Sequence, residues 1–292
     1  MNLSILYRGP LAGCNYHCGY CPFAKRVDSR DQLARDRQAL SRFVDWLESQ
    51  PQHLWKVLFT PWGEALVRPW YRRAVARLTH LNHLASVAVQ TNLSCGLAWL
   101  QTCRADRLAF WATYHPTEVS ADAFVRKVRL VIEAGARISV GMVGVPDVLD
   151  AVVAMRRLLP PEVYLWINAQ QPRPLPYTSE EVALLTSIDP QFTLTLRRLR
   201  SLGQPCRTGE QTFTVDGRGD MRRCHFVDEV IGNIHSPDWP SALRPRPCPN
   251  AFCDCFLGKA QLKSDALTPF FGANLLERIP VISTGGPSGH VA

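Results

Sequence analysis

Long apolar runs are missing from this 292-residue chain: its longest apolar stretches have the length of a strand, so we expect no membrane-spanning segment and no membrane partner. The first residues, MNLSI, also lack the basic stretch, the long apolar core and the cleavage site of a secretory signal. A protein with neither feature is expected in the cytoplasm, where cysteines stay reduced.

Lysine is scarce. Of the 33 cationic residues, only those at positions 25, 56, 127, 259 and 263 are lysines. The remaining cations are arginines, which suit carboxylate and phosphate partners. The net charge is +8, yet the arginines are dispersed and no recognised nucleic-acid-binding motif appears. An arginine-favouring genome explains this pattern as well as a nucleic-acid surface does, so nucleic acid is not an expected partner.

Ten cysteines in such a chain indicate metal or redox chemistry rather than a disulfide framework. Three of them, Cys14, Cys18 and Cys21, form a C-x3-C-x2-C pattern with Tyr20 just before the last. Three thiolates on one tight loop can ligate three irons of a 4Fe–4S cluster and leave the fourth iron open. Zinc with His17 as a fourth ligand is an alternative, whereas a disulfide would leave one cysteine over.

Short apolar runs alternate with helical patterns through the first two thirds of the chain. The candidate strands are 3–7, 56–60, 86–91, 108–113, 138–143 and 163–168. Helices are expected between the strands, among them 31–48, 120–134 with Ser120 as its cap, and 147–159 opening at Asp147. This repetition predicts an α/β fold with a parallel sheet and right-handed crossovers, and six repeats are too few for a closed eight-stranded barrel.

The cysteine motif, placed after a first strand, resembles the defining motif of the radical S-adenosylmethionine (radical SAM) superfamily. The resemblance implies an open six-unit (β/α) partial TIM-type barrel over residues 1–190. It also implies that Cys14, Cys18 and Cys21 hold a 4Fe–4S cluster whose open iron takes the amino and carboxylate groups of SAM, while Tyr20 contacts the adenine.

Further SAM contacts are implied at the carboxyl ends of the next strands. Gly63 and Glu64 are similar to the family's Gly-Gly-Glu motif for the SAM amino group, although Trp62 replaces the first glycine. An ordinary strand-ending turn is the alternative for this segment.

The ends of strands three and four supply further candidates. Thr91 and Asn92 resemble the family's Thr-Asn-Gly turn, and Thr113 lies where relatives carry a small hydroxyl near the ribose or carboxylate. Asparagine at a turn is equally explained by its tolerance of left-handed backbone. His115 and Asn168 fall where substrate-facing residues lie in this family, although a lone histidine is more often structural.

A cysteine-rich extension is expected from residue 191 to residue 260. Its thiols are Cys206, Cys224, Cys248, Cys253 and Cys255. A hairpin is predicted at Asp216-Gly217, and the C-x12-G-x4-C spacing around Gly219 resembles the SPASM/Twitch extensions that hold auxiliary iron–sulfur clusters. Five thiols cannot supply two complete clusters, so one auxiliary 4Fe–4S cluster is implied, with structural zinc as the alternative. Residues 261–292 form a C-terminal segment with a flexible tail.

The function implied by the resemblance is reductive cleavage of SAM to a 5′-deoxyadenosyl radical that abstracts hydrogen from the substrate. The auxiliary cluster favours an oxidative modification in peptide or natural-product maturation. An oxidative step on a small metabolite remains an alternative, as does a non-catalytic iron–sulfur or zinc protein on a degenerate barrel. The implied partners are a peptide or small-molecule substrate and an electron donor such as flavodoxin or ferredoxin.

Overall fold

A central sheet organises the computed structural model, which describes residues 1–21, 26–145, 148–170, 176–264, 267–272 and 276–281. Its first six strands are parallel neighbours in chain order. They are β1 (Asn2–Arg8), β2 (Leu54–Phe59), β3 (Leu84–Thr91), β4 (Leu108–Thr113), β5 (Arg137–Gly144) and β6 (Leu165–Ala169). The six predicted strands are therefore confirmed, with β4 at its predicted bounds.

Helices follow five of these strands. They are α1 (Arg30–Glu48), α2 (Pro69–Thr79), α3 (Ala121–Glu133), α4 (Leu149–Leu158) and α5 (Ser179–Ile188). Side chains cap two of the predicted helices, because Ser29 accepts from the Gln32 amide before α1 and Ser120 accepts from the Ala123 amide before α3. Asp147, the predicted start of the fourth helix, lies outside the described residues.

The expectation of a helix between β3 and β4 was wrong. Two short 3-10 helices, Ala98–Thr102 and Ala105–Arg107, make this connection. Leu93, near the start of this connection, adopts a left-handed φ of 57°, which interrupts regular backbone structure there. 3-10 helices are common in connections of this kind.

Successive side chains of each strand point to opposite faces of the sheet, so the core has two layers. Outward side chains such as Val57, Val89 and Phe110 pack against the helices. Inward side chains, among them Leu6, Leu58, Ala88, Trp111 and Trp166, fill the interior of the curved sheet. The interior is a packed core, so chemistry has to occur at its open edge, where the strands end.

Part of the cysteine-rich extension continues the same sheet. The extension contains the strands β7 (Leu199–Arg200), β8 (Pro205–Cys206), β9 (Thr212–Asp216), β10 (Asp220–Arg222), β11 (Val230–Asn233), β12 (Arg246–Pro247) and β13 (Phe252–Cys253) and the short helix α6 (Phe256–Lys259), and the short helix α7 (Thr268–Phe271) lies in the C-terminal segment. Strands β8 and β12 form one separate two-stranded sheet, and β7 and β13 form another. Strand β9 pairs in parallel with β1, and β10 and β11 follow it in antiparallel order. The β9–β10 hairpin lies at the predicted Asp216-Gly217 turn.

In the part of the chain that the structure describes, no helix combines the length and the apolar character needed to cross a membrane. The predicted flexible tail, residues 283–290, lies outside the described residues.

Candidate functional site

The loop after β1 brings the three motif cysteines together. Cys18 is buried, and Cys14 and Cys21 are half-buried. Burial raises the pKa of Cys14, and burial followed by the charges of Glu118 and Cys21 raises the pKa of Cys18 to about 11. Such thiols ionise at neutral pH when a cation lies among them, because metal binding displaces their protons. Three neighbouring sulfurs on one loop thus fit the donor set of an iron–sulfur cluster.

Two aspartates hold this loop from outside the motif. The Asp28 carboxylate accepts from the amides of Gly13 at 2.7 Å and Ala12 at 3.3 Å. The buried Asp36 on α1 accepts from the amide of Leu11 at 3.2 Å, and the side chains of α2 donate to the same carboxylate. Sequence reasoning missed both aspartates, since neither forms part of a recognisable spacing.

Gly63 touches the cysteine loop directly. A Cβ at this position would lie 2.0 Å from the Gly13 carbonyl oxygen, and the next amide, that of Glu64, donates to this same oxygen at 3.2 Å. The neighbouring Trp62 is 45% exposed and stacks on the guanidinium of Arg8, 4.1 Å from its ring centroid. Position 63 therefore needs glycine because the loop after β2 lies directly against the loop after β1 and leaves no room for a side chain.

Glu64 joins the ends of β2 and β3. Its buried carboxylate accepts from the hydroxyl of Thr91 at 2.7 Å and from the amides of Leu66 at 2.9 Å and Asn92 at 2.6 Å. Burial raises the pKa of Glu64, whereas these three donors favour its charged form. The structure thus brings together three residues that the sequence predicted as SAM contacts, and contact with SAM stays a prediction.

Asn92 extends this network to the cluster motif. Its side-chain amide donates to Asn15 Oδ1 at 3.1 Å and lies 3.6 Å from the sulfur of Cys14. The amide of Ser94 donates back to Asn92 Oδ1 at 3.0 Å, which fixes the side chain in a turn. Since hydrogen bonds to the sulfurs set the potential of iron–sulfur clusters, Asn92 is placed to influence the motif electronically.

Tyr20 and His115 form a stacked pair at the end of β4. The Tyr20 hydroxyl lies 2.9 Å from His115 Nδ1, and the ring centroids are 5.9 Å apart with planes at 17°. Burial lowers the pKa of His115 to about 4, so its ring is neutral at pH 7 and can accept the hydroxyl proton. Thr113 is half-buried two residues earlier. In this structure His115 positions the aromatic residue of the motif.

The five cysteines of the extension meet beside β1. The β8–β12 pair sets Cys206 opposite Arg246, two residues before Cys248, while β13 carries Cys253. Burial raises the pKa of Cys224 to about 11 and of Cys253 to about 12, and the charges of the other thiols contribute to both shifts. A cavity of about 20 Å³ separates Cys224 and Cys255 from the interior of the sheet. The fold thus collects thiols that lie up to fifty residues apart in sequence.

Within the described ranges, no three cysteine, histidine, aspartate or glutamate side chains converge on a point that could hold a single metal ion.

No family model and no curated protein matches this sequence. Among solved structures, anSMEcpe with bound AdoMet and a Cp18Cys peptide matches with a TM-score of 0.54 and 15% identity, over 83% of this chain and 80% of that one. Native anSMEcpe with bound AdoMet matches with a TM-score of 0.53 and 14% identity, over 80% and 78%. BtrN with AdoMet and 2-DOIA has a TM-score of 0.43 at 17% identity, over 82% and 85%. The anSMEcpe likeness confirms the α/β partial-barrel fold predicted from the sequence.

Proposed function

We propose that this protein is a radical SAM enzyme that modifies its substrate oxidatively, in peptide or natural-product maturation. The observation that carries the proposal is the continuous contact from Glu64 through Asn92 to the sulfur of Cys14. It connects the cysteine loop to the carboxyl ends of β2 and β3, where α/β proteins bind their ligands.

Cys14, Cys18 and Cys21 would hold a 4Fe–4S cluster, which, when bound with SAM, supplies a reducing electron and the 5′-deoxyadenosyl radical that removes hydrogen from the substrate. The chain itself orients the parts. Asp28 and Asp36 fix the loop, Asn92 donates to a sulfur, and the packed interior of the sheet excludes water.

SAM would lie along the loop ends. The predicted contacts are Tyr20, Gly63, Glu64, Thr91, Asn92 and Thr113. The Glu64 carboxylate is suited to an ammonium group, because its burial strengthens any charge pair that it forms. His115 would hold the Tyr20 ring in place against the adenine through its neutral imidazole.

The thiols of the extension would hold one auxiliary 4Fe–4S cluster, drawn from Cys206, Cys224, Cys248, Cys253 and Cys255. Cys206 is buried, the other four are half-buried, and the thiols lie near enough to raise one another's pKa, which supports this assignment. A thiolate at Cys255 would raise the pKa of both Arg8 and Arg278, which would couple the extension electrostatically to the barrel interior. The peptide bound to anSMEcpe supports a peptide substrate here, and an electron donor such as flavodoxin or ferredoxin would serve the enzyme.

The first prediction concerns SAM cleavage. Protein reconstituted anaerobically with iron and sulfide should form 5′-deoxyadenosine from SAM and dithionite, detected by mass spectrometry. Cys18→Ala removes an iron ligand, so formation should fall by about 100-fold or more. Cys103→Ala removes a cysteine outside both clusters of thiols and should retain the wild-type rate.

Product from Cys18→Ala would contradict the mechanism. A fully loaded protein that neither forms 5′-deoxyadenosine nor binds SAM in a titration would instead identify a non-catalytic iron–sulfur protein. In the same experiment, Cys224→Ala should lose about four irons per chain yet keep SAM cleavage, because it removes only the auxiliary ligands. Zinc in place of that iron would assign the extension a structural metal.

A further inference from the structure

A single arginine from the C-terminal segment occupies the interior of the barrel. Arg278 is fully buried and adopts a left-handed φ of 51°, a conformation that non-glycine residues rarely take. The residue before it, Glu277, is anchored at the amino end of β5, where its carbonyl accepts from Ser139 and its carboxylate pairs with Arg137 at 3.1 Å. The segment therefore approaches the sheet at the amino ends of its strands, and the side chain of Arg278 extends toward their carboxyl ends.

Aromatic rings enclose the guanidinium. Its Cζ lies 3.3 Å from the ring centroid of Phe256, 4.6 Å from that of Trp166 and 5.6 Å from that of Trp111. Its Nη1 donates to Asn168 Oδ1 at 2.8 Å, near the carboxyl end of β6. The group is thus held in place on the functional side of the sheet, and Phe256, beside Cys255, forms one wall of the site.

The remaining donors of this cluster have no acceptor. Among the described residues, Nε and Nη2 of Arg278 and the indole Nε1 atoms of Trp111 and Trp166 are buried without a hydrogen-bond partner. Nε and Nη2 form one edge of the guanidinium, the edge that grips both oxygens of a carboxylate in a bidentate pair. Buried donors normally have hydrogen-bond acceptors, so four donors without one indicate a site that an anion could occupy.

The chain offers no carboxylate to fill this edge within the described residues. Asp189 is buried and acts on Arg278 electrostatically. However, its oxygens accept from the Tyr164 hydroxyl and from the amides of Ile167 and Gln191. Burial lowers the pKa of Arg278 to about 10, which still leaves it charged at neutral pH. Asp189 therefore balances part of the charge but leaves the Nε and Nη2 donors unpaired within the described residues, and an external anion would pair them.

We propose that the free edge of Arg278 binds a carboxylate of the substrate. The identification of the ligand as substrate rests on the proposed function, whereas the anion site rests on the geometry alone. The cysteine loop contacts the ends of β2, β3 and β4, while Arg278 packs between β4, β6 and Phe256. A carboxylate on Arg278 would therefore lie on the side of the barrel where Phe256 of the extension packs.

The test uses the full-length protein without SAM, so that its result does not depend on SAM cleavage. The thermal midpoint and tryptophan fluorescence are titrated with acetate as the probe, with chloride and inorganic phosphate at matched ionic strength. Acetate should raise the midpoint and change the emission of the flanking indoles. Arg278→Gln should weaken acetate binding by about tenfold or more, because a neutral amide cannot form the charged pair. Arg129→Gln, on the exposed face of α3, should bind acetate like the wild type.

A second variant covers the case in which Arg278→Gln fails to fold. Asn168→Asp places a carboxylate beside Nη1, so it should raise the midpoint and, by offsetting the charge of the guanidinium, weaken the response to acetate at the Nε and Nη2 edge. An equal acetate response in either variant and the wild type would overturn the proposal. A stronger response to phosphate than to acetate would overturn the carboxylate assignment, and displacement of acetate by SAM would assign the site to SAM rather than to the substrate.

Discussion

At the scale of single residues, burial opposes charge throughout the candidate site. It raises the pKa of Cys18 and Glu64 and lowers those of His115 and Arg278. Each group then needs a specific partner: donors for Glu64, a hydroxyl for His115, and a cation for the thiols. The stability of the site consequently depends on pH, because pH changes the charge that burial penalises.

Because of His115, the free energy of unfolding should decrease as the pH falls from 7 to 4. Its folded pKa of about 4 lies below the ordinary 6.5, so its stabilising contribution is complete above pH 6.5 and is lost as the pH falls toward 4. The shift corresponds to at most about 3 kcal/mol. Urea unfolding from pH 7 to pH 4 should therefore show a shallower loss of stability for His115→Gln than for the wild type.

His80→Gln provides the matched control for the loss of a histidine ring, because His80 is exposed and bonds the Thr102 carbonyl oxygen rather than Tyr20. If His115→Gln and the wild type lost stability in parallel over this range, the neutral imidazole beside Tyr20 would not be the stable form of the pair.

At the scale of elements, three loops act as one unit. The loop after β1 rests on the Gly63 backbone after β2, and Asn92 after β3 reaches Cys14 across both. The capping box of Ser29 and Gln32 fixes the start of α1, and Asp36 on this helix accepts from the amide of Leu11 before the motif. The positions of the thiols therefore depend on contacts among the loops after β1, β2 and β3, and no single loop determines them.

Replacement of Gly63 should test this unit. In Gly63→Ala the new methyl would meet the Gly13 carbonyl carbon at 2.5 Å, so the cysteine loop has to move. Clashes of this kind cost roughly 1–3 kcal/mol, and we expect a lower thermal midpoint and less iron bound after reconstitution, measured by iron analysis. Gly96→Ala is the matched control, since nothing lies within 4 Å of its added methyl. Full iron loading of Gly63→Ala would show that the loop does not depend on this contact.

At the scale of the whole molecule, one sheet joins the barrel to the extension. Strand β9 pairs with β1 over five residues, and Trp239 of the extension packs on Trp46 and Trp55, with ring centroids 5.3 and 5.8 Å away. The extension therefore covers an edge of the barrel sheet that would otherwise expose unpaired backbone groups. Folding of either part without the other would leave this edge open.

The shared sheet predicts a single unfolding transition. Urea curves followed by tryptophan fluorescence and by far-ultraviolet circular dichroism should coincide, because β1 and β9 lose their pairing together. Phe213→Ala, which removes a ring from β9 against Trp55, should shift both curves by about 3–5 kcal/mol to the same extent. Two separate transitions would show that the barrel and the extension unfold independently.

Much of the architecture could be predicted from local sequence. Strand–helix alternation located all six barrel strands, and Ser120 marked the start of α3, since both signals depend on neighbours within a few residues. The helix expected between β3 and β4 is replaced by two 3-10 helices, because the spacing of Leu97, Leu100 and Cys103 by three residues fits a 3-10 helix as well as an α-helix. The pairing of β9 with β1 was not predictable, since it joins Ser4 to Thr212 across two hundred residues without a local signal.

Spacing and hydrophobic period along the chain were enough to predict the C-x3-C-x2-C loop, the later group of thiols and the parallel sheet. Which residues surround the thiols became known from the three-dimensional structure alone. Asp36 holds the amide of Leu11, and Arg278 reaches Asn168 across 110 positions, through contacts that no spacing encodes. The physical reason is that spacing reports groups close along the chain, whereas burial and hydrogen bonding depend on which distant segments the packed core brings together.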